Sequence, residues 1–351
     1  TLNCNHPIVQ QMILECLHYW VTVYRINGFR FDLASILGRD KNGLPIQNAP
    51  LLESLAFDPI LGDVKLIAEA WDAGGLYQVG SFPAWNRWAE WNGRYRDDLR
   101  SFLKGDYWMA PAVAKRISGS LDLYTGQYKG YNSSINFITC HDGFTLHDLY
   151  SYNEKHNLAN GWDNTDGAND NRSWNCGVEG ETDDPQVNAL RLKLMKNAIS
   201  VLMCSRGTPM FLAGDEFGDT RFGNNNPYCQ DNEISWLDWS LLDKNRELFE
   251  HFKFMIQFRK KHCSIRGGAR PNSMNFPMIS THGNHPGDPI TEDSKVVCIL
   301  YASQKEHSSK DDLVYMAINA YWEDQQITLP KLPKPYVWKT AVYTDSLDPR
   351  C

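Results

Sequence analysis

Gly28-Phe-Arg-Phe-Asp32-Leu-Ala is the stretch that decides the fold, because it is a short apolar strand that ends on a carboxylate. A helix is predicted just before it, over residues 6–24, with Asn5 as its N-cap and an apolar stripe at helical spacing. A second helix and strand follow, over residues 51–57 and 64–70. Strands that alternate with helices predict an α/β fold with a mostly parallel sheet, either doubly wound or closed into a barrel.

The same alternation continues to about residue 264. Further helices are predicted over residues 95–103, 187–204 and 242–262, and strands over residues 135–140 and 208–214, with residues 85–92 ambiguous. Beyond that point come short β-type runs separated by polar or Pro-rich segments, at residues 296–301, 313–318 and 336–343. We therefore predict two domains, an α/β domain over residues 1–264 and a small antiparallel β domain over residues 265–351.

Composition excludes several classes of partner. The chain has 351 residues and a net charge of -7, which argues against a nucleic-acid partner. No apolar run approaches the roughly 20 residues of a membrane span. The nine cysteines, from Cys4 to Cys351, show no CxxC pair and no zinc spacing, so we expect free thiols and no metal. No nucleotide-loop or metalloprotease motif occurs, and we predict no cofactor.

Three predicted strands end on a carboxylate, at Asp32, Glu69 and Asp142. One such residue has an ordinary explanation, because every strand must reach the surface somewhere. Three in successive strand–helix units favour a shared active site, since βα barrels place theirs at this rim. Glycoside hydrolysis needs such a set: one carboxylate attacks the anomeric carbon, and another protonates the leaving oxygen and then activates water.

The neighbours of these carboxylates suggest different roles. Arg30 lies two residues before Asp32, on the same face of a strand, where it would keep that carboxylate ionised and suit a nucleophile. Glu69 has Ile67 and Trp71 on its own face, and an apolar, aromatic setting raises a carboxyl pKa, which suits an acid/base.

His141 and Asp142 are adjacent, so both side chains reach one cleft only if the strand ends or twists there. We predict that they hold substrate by bonding sugar hydroxyls. Half a metal site is the alternative, but no third ligand stands at a telling spacing. The acidic pair Asp215-Glu216 also follows a predicted strand, and we interpret it as structural or rim-lining.

The long loop between Trp71 and Trp91 is expected to contribute to the same site, because loops of this length are usually functional or disordered. We predict that Phe82 and Trp85 stack on glucose rings and that Trp71 walls the pocket around Glu69. The alternative is that these aromatic side chains pack the loop onto the barrel and never touch sugar.

Three stretches resemble signature regions of glycoside hydrolase family 13, the α-amylase family. They are Gly28-Phe-Arg-Phe-Asp32, Ala68-Glu69-Ala-Trp71-Asp72 and Thr139-Cys-His141-Asp142. The stretches Trp88-Ala-Glu-Trp-Asn-Gly-Arg-Tyr-Arg-Asp and Gly223-Asn-Asn-Asn-Pro-Tyr-Cys-Gln-Asp-Asn-Glu are similar to the isoamylase and glycogen-debranching branch of that family. The matching segments span residues 1 to about 266.

The resemblance implies a (β/α)8 TIM barrel followed by a C-terminal β-sandwich. It assigns Asp32 as nucleophile, Glu69 as acid/base and Asp142 as transition-state stabiliser, with Arg30 and His141 as their partners. The implied activity is retaining hydrolysis of α-1,6 branch points in glycogen- or amylopectin-type glucans. The alternatives are a non-catalytic glucan-binding or scaffolding subunit, and an amylase or transferase that acts on α-1,4 bonds.

One signature region of the family is not found, and it would precede Thr1 together with the first strands of the barrel. We therefore expect only the second half of the barrel and a C-terminal domain that stops early. The missing N-terminal half is the expected partner, and without it we expect the chain to be inactive, because unpaired sheet edges invite aggregation. The expected compartment is the bacterial cytoplasm or the plastid stroma.

Overall fold

The computed structural model of the protein describes residues 2–83, 85, 87–124, 130–268, 270–271, 276–308 and 310–345. The chain divides into two compact units. Unit 1 comprises residues 1–94 and 119–136, and unit 2 comprises residues 95–118 and 137–351. Within the described residues, no helix is long and apolar enough to cross a membrane.

Unit 1 is built on parallel strands that pair in chain order. They are β1 (Gly28–Phe31), β2 (Lys65–Ala68), β3 (Trp88–Trp91) and β4 (Ser134–Phe137). Helix α1 (Pro7–Thr22) precedes β1, and α2 (Pro50–Phe57) lies between β1 and β2. The predicted parallel strands are confirmed, although each is shorter than predicted, and the ambiguous residues 85–92 contain β3.

The predicted first helix is confirmed, but its predicted cap is wrong. The N-cap of α1 is His6, whose Nδ1 accepts a hydrogen bond from the backbone N–H of Ile8 at 3.3 Å. The side-chain amide of Asn5 instead donates to the backbone oxygen of Arg39 at 2.8 Å. The side chain of Asn5 therefore makes a tertiary contact with the loop after β1 and does not cap α1, although local capping rules favour it for that role.

The core of unit 1 lies between the sheet and α2. Leu66 and Ala68 of β2 and Trp88 of β3 are buried there against Leu52 and Leu55 of α2. The alternation along β2 explains this, because Leu66 and Ala68 are buried whereas Lys65 is exposed and Ile67 half-buried.

Unit 2 combines long helices with an antiparallel sheet. The helices are α3 (Gly93–Leu103, which begins at the end of unit 1), α4 (Ala110–Ile117), α5 (Leu146–Leu149), α6 (Pro185–Cys204), α7 (Leu241–Lys244), α8 (Arg246–Lys261) and α9 (Cys263–Arg266). The strands are β5 (Thr208–Met210), β6 (Ile279–His282), β7 (Val296–Gln304) and β8 (Asp311–Asn319). Strands β6, β7 and β8 pair antiparallel in chain order, which confirms two of the three predicted β-type runs.

The structure of unit 2 differs from the prediction in several places. Helices α4, α5 and α9 and strand β6 were not predicted. The predicted helix over residues 242–262 breaks at Asn245, whose side chain donates to the backbone oxygen of Phe217 at 2.8 Å. Residues 336–343 form no strand, because this segment is held by side chains instead: Trp338 Nε1 donates to the oxygen of Pro330 at 2.8 Å, and the ring packs against Tyr315.

The hydrophobic core of unit 2 continues across residue 264. Val297, Ile299 and Tyr301 of β7 share one cluster with Ile117 of α4 and Leu202 of α6. The buried Tyr301 hydroxyl donates to the oxygen of Ile117 at 2.7 Å. A domain boundary at residue 264 stays a prediction. Eight cysteines in the described part are free thiols, and Cys351 lies outside the described residues.

Gly80 and Gly75 offer a matched test of how the loop after β2 is packed. Both have left-handed φ angles, +87° and +86°, but a Cβ on Gly80 would lie 3.0–3.2 Å from Leu123 whereas one on Gly75 would meet nothing within 4 Å. We expect Gly75→Ala to cost about 1 kcal/mol of unfolding free energy. Gly80→Ala should cost at least about 1 kcal/mol more, because backbone as well as side chain must shift. Denaturant unfolding measures both, and equal losses would contradict the packing described.

Candidate active site

Arg30 joins the two carboxylates at the ends of β1 and β2. Its Nη1 lies 2.8 Å from Oδ1 of Asp32, and its Nη2 lies 2.7 Å from Oε1 of Glu69. The parallel register pairs Phe31 with Ala68, so the residues that follow each strand emerge at the same edge. The predicted contact between Arg30 and Asp32 is therefore confirmed, and its extension to Glu69 was not predicted.

The two carboxylates differ in accessibility. The side chain of Asp32 is 72% exposed, whereas that of Glu69 is only 4% exposed. Glu69 Oε2 also accepts a hydrogen bond from the backbone N–H of Leu33 at 2.7 Å. The predicted apolar setting of Glu69 is thus wrong, because a guanidinium and a backbone donor contact it.

Aromatic rings surround this group without enclosing Glu69 in an apolar pocket. The guanidinium of Arg30 lies 4.3 Å from the ring centroid of Trp91, a cation–π distance. Trp71 stacks on Tyr77 at 5.9 Å with an interplanar angle of 11°. Trp71 and Tyr77 also form a β-bridge, so they fix the base of the loop that follows Glu69.

A buried ion pair connects the loop after β1 to the loop after β2. Arg39 Nε and Nη2 lie 2.6 and 2.9 Å from the two carboxylate oxygens of Asp72. The Asp72 side chain is 1% exposed, and its Oδ1 accepts from the N–H of Gly74 at 2.9 Å. The hydrogen bond from Arg39 lowers the pKa of Asp72, so this pair stays charged and holds both loops in place.

The predicted stacking role of Phe82 is wrong. Phe82 is 1% exposed, and its ring packs edge-on against Trp88 with centroids 5.5 Å apart. The ring of Phe82 therefore lies in the core of unit 1, where no sugar can contact it. Trp85 is half-buried and lines a cavity of about 490 Å³, so the prediction made for it stays open.

His141 and Asp142 lie in unit 2, after the end of β4. The strand stops at Phe137, so the alternation of side chains no longer separates these two residues. Both are exposed, with side-chain accessibilities of 51% and 66%, and His141 Nε2 lies 3.4 Å from Asp142 Oδ2. The strand end required by the prediction is therefore confirmed.

The buried carboxylate of Asp215 holds both ends of the turn that carries His141 and Asp142. It accepts hydrogen bonds from the hydroxyl of Thr139 and from the backbone N–H of Leu146, the latter at 2.8 Å. It also accepts from the N–H of Leu212 at 3.1 Å. Burial raises the pKa of Asp215 to about 6. The structural interpretation of this acidic residue is correct.

A second buried carboxylate, Asp148, organises a loop that sequence reasoning missed. It accepts from the hydroxyl of Thr220 at 2.5 Å and from the N–H of Arg221 at 2.9 Å. Arg221 Nη1 in turn donates to the backbone oxygen of His141 at 3.2 Å, and Gly143 N–H donates to the oxygen of Asn225 at 2.9 Å. The only sequence signal was the polar run at residues 223–233.

The predicted site residues therefore fall into two groups. Arg30, Asp32, Glu69 and Trp71 lie at one edge of the sheet of unit 1, and His141 and Asp142 lie together in unit 2. Within the described part of the chain, His, Cys, Asp and Glu form no group of three able to hold a metal ion.

Several known proteins are similar to this chain. Isoamylase 3, chloroplastic, of Oryza sativa subsp. japonica is 47% identical over 99% of the chain and 44% of its own length. A glycogen operon protein GlgX homolog of Mycobacterium tuberculosis is 51% identical over 76% of the chain and 37% of its own length. The GlgX homolog of Haemophilus influenzae is 40% identical over 99% of the chain and 51% of its own length. No protein-family profile matches.

Solved structures of pullulanases are similar in fold to this chain. A pullulanase from Bacillus acidopullulyticus aligns with 90% of the chain and 35% of its own, with a TM-score of 0.62 and 20% identity. Fold and site thus define an α/β protein that shares its fold with pullulanases and carries paired carboxylates at neighbouring strand ends. The chain is a homologue of the isoamylases and of the GlgX glycogen operon proteins, and it spans about half the length of these relatives. The resemblance drawn from the signature stretches is confirmed.

The raised pKa of Asp215 predicts how unfolding free energy depends on pH. A carboxyl whose folded pKa is raised, here from 3.8 to about 6, contributes stability that is present below the unfolded value and lost as pH rises through about 6. Asp215→Asn removes this titration. We expect the stability of the parent protein to fall relative to the variant between about pH 4 and pH 7, by on the order of 2 kcal/mol.

Denaturant unfolding across this pH range tests the prediction. Asp183→Asn is the control, because Asp183 is exposed in the same unit. A difference between Asp215→Asn and the parent that does not change with pH would show that Asp215 titrates as an ordinary carboxyl.

Proposed function

We propose that the protein to which this chain belongs is a retaining glycoside hydrolase that cleaves α-1,6 branch points in glycogen- or amylopectin-type glucans. The observation that carries the proposal is the pair Asp32 and Glu69, held by one guanidinium at the ends of adjacent parallel strands. Similarity to isoamylases over 99% of the chain supports the bond specificity.

The geometry supports Asp32 as the nucleophile. Its carboxylate is exposed, so an anomeric carbon can reach it, and Arg30 fixes its direction. In the first step the Asp32 oxygen bonds to the anomeric carbon while the bond to the leaving oxygen breaks. Glu69 gives its proton to that oxygen. In the second step Glu69 takes a proton from water, and the water oxygen displaces Asp32 from the anomeric carbon.

The shared guanidinium suits the ionised form that Glu69 must take when it acts as base. Arg30 contacts Asp32 and Glu69 together, so its charge is divided between the two carboxylates in the free site. Once Asp32 is an ester it is neutral, and the whole charge of Arg30 acts on Glu69, which favours the carboxylate that serves as base. Arg30 thereby couples the charge state of one residue to that of the other.

The remaining site residues are assigned binding roles. Asp142 stabilises positive charge on the sugar ring in the transition state, and His141 bonds sugar hydroxyls beside it. Trp71, stacked on Tyr77, walls the site next to Glu69. The exposure of His141 and Asp142 and their anchoring by buried Asp215 support these roles.

The proposed architecture is a (β/α)8 barrel completed by an N-terminal half of the same protein, with a catalytic domain to residue 264 and a β-sandwich after it. Coverage of 44–51% of several relatives supports a longer protein. Exposed aromatic side chains on and after α1, namely Tyr19, Trp20 and Tyr24, support a further layer over this face of unit 1. The proposed compartment is a plastid or the bacterial cytoplasm.

The substrate assignment is tested with the full-length protein on glycogen, amylose and pullulan. A debranching enzyme of the isoamylase type releases linear chains from glycogen and leaves amylose intact. Hydrolysis of amylose would identify an α-1,4-acting enzyme, and binding without hydrolysis of any of the three would identify a non-catalytic glucan-binding subunit.

Asp32→Asn in the full-length protein should lower kcat by at least about 10³-fold, because the amide cannot attack the anomeric carbon. Its melting temperature should stay close to that of the parent, since Asp32 is largely exposed. Release of reducing ends from glycogen measures the activity. Asp63→Asn, an exposed position in the same unit, is the control. Residual activity near the parent level would remove Asp32 from the mechanism.

Glu69→Gln should lower activity on natural glucans far more than the first step on glycosides with good leaving groups. A good leaving group needs little protonation, so glycosylation survives while deglycosylation slows. A burst of leaving group followed by a slow steady state is the expected signature. Equal losses of the burst and steady-state rates, with an unchanged melting temperature, would assign Glu69 a role other than acid/base.

A further inference from the structure

The turn that carries His141 and Asp142 is connected to the segment over residues 219–226, which follows β5. Arg221 Nη1 donates to the backbone oxygen of His141 at 3.2 Å. The backbone N–H of Gly143 donates to the backbone oxygen of Asn225 at 2.9 Å. Of these two contacts, the one from Arg221 is made by a side chain, so the position of the turn depends on which residue occupies position 221.

The backbone on both sides of the Arg221 side chain is held by the carboxylate of Asp148, which is 0% exposed. Asp148 Oδ2 accepts from the N–H of Arg221 at 2.9 Å and from the N–H of Gly223 at 3.3 Å. Asp148 Oδ1 accepts from the hydroxyl of Thr220 at 2.5 Å. A buried carboxylate with three donors fixes the residues that donate to it, so the guanidinium of Arg221 extends from a rigid base.

The rest of the segment is equally constrained. The N–H of Asn225 donates to Asn157 Oδ1 at 3.0 Å, and Asn157 Nδ2 donates back to Asn225 Oδ1 at 2.8 Å. Gly223 has a φ angle of +77°, and a Cβ at this position would lie 2.7 Å from side-chain atoms of His156 and Tyr152. The segment therefore has no room to shift, and the contact with His141 cannot be made from a different backbone position.

Charge also holds the Arg221 side chain in place. Burial raises the pKa of Asp219 to about 6, and the positive charge of Arg221 opposes that rise, so the guanidinium and this carboxyl group interact. A charged donor makes a stronger hydrogen bond to a carbonyl oxygen than a neutral donor does. Arg221 thus restrains the His141 oxygen more firmly than a neutral side chain could.

The oxygen that Arg221 contacts belongs to the peptide that joins His141 to Asp142. A peptide group is planar, so a restraint on its oxygen also restrains the Cα of Asp142. The side chain of Asp142 is 66% exposed, and packing therefore does little to orient it. Its direction depends mainly on the backbone from which it projects.

We propose that Arg221 is a positioning residue for glycoside hydrolysis: its hydrogen bond to the oxygen of His141 fixes the peptide plane before Asp142 and so directs the Asp142 carboxylate toward the charge that develops on the sugar ring. The inference rests on the proposed function, in which Asp142 stabilises the transition state. Arg221 acts through the backbone and needs no contact with substrate. Its loss should therefore change the rate of bond cleavage and leave the affinity for glucan nearly unchanged.

The test compares Arg221→Ala with Arg246→Ala in the full-length protein. Arg246 is the matched control, because it is an exposed arginine of the same unit that pairs with Asp243. Arg221→Ala should lower kcat on glycogen by about 10- to 100-fold, the effect of losing a hydrogen bond from a charged donor, with KM changed by less than about twofold. The same loss is expected on glycosides with good leaving groups, since Asp142 acts on the ring and not on the leaving oxygen. Arg221→Lys, which keeps a charged donor, should retain more activity than Arg221→Ala.

A double-mutant cycle with Asp142→Asn separates positioning from a general structural effect. In the Asp142→Asn background, Arg221→Ala should cause little further loss of kcat, because the carboxylate that Arg221 positions is already absent. Full additivity of the two losses would overturn the proposal. A rise in KM at unchanged kcat, or an equal loss of kcat in Arg246→Ala, would overturn it as well.

Hydrogen exchange tests the contact independently of hydrolysis. Arg221→Ala should speed amide exchange within residues 139–146 by about fivefold, the effect of one lost hydrogen bond, and leave exchange in α6 unchanged. Equal exchange in parent and variant across residues 139–146 would contradict the inference. The parent protein is assayed separately on glycogen. If it fails to cleave glycogen while the exchange changes as expected, Arg221 still positions the turn and the proposed hydrolysis is wrong.

Discussion

One guanidinium organises the edge of unit 1 at which the proposed catalytic carboxylates lie. Arg30 reaches this edge because it lies on a strand two residues before Asp32, and parallel pairing brings the end of the next strand, with Glu69, beside it. Two carboxylates this close would repel each other without a cation between them. The loops joined by the Arg39–Asp72 ion pair both follow the strands whose ends this contact connects.

Buried carboxylates hold the loops in place through hydrogen bonds, much as Arg30 holds the two strand ends. Asp72, Asp148 and Asp215 each accept several hydrogen bonds, at least one of them from a group distant in the chain, and each anchors a loop beside a proposed site residue. A buried carboxylate is costly unless its lone pairs are satisfied. Once satisfied, it fixes the positions of its donors, so exposed residues such as Asp142 can sit on a rigid support.

Two neighbouring zones of unit 1 differ in charge. The zone of Arg30, Asp32 and Glu69 is charged, and in the proposed mechanism these residues move protons and stabilise an oxocarbenium-like ring. The cavity between the loops after β1 and β2 is lined by uncharged side chains, including amides, a hydroxyl and an indole ring. The ion pair of Arg39 and Asp72 connects the loops and keeps its own charges paired.

The sequence by itself determined the alternation of strands and helices and the position of Arg30, Asp32 and Glu69 at neighbouring strand ends. Local rules suffice there, because side chains alternate along a strand and successive parallel strands end at one edge. Only the tertiary structure decided the rest. Phe82 and Trp85 look equivalent in one loop, yet Phe82 is buried against Trp88 on a later strand and Trp85 lines a cavity. Asn5 and Asn245 leave their predicted local roles for the same reason: each bonds a backbone oxygen that lies near only after the chain has folded.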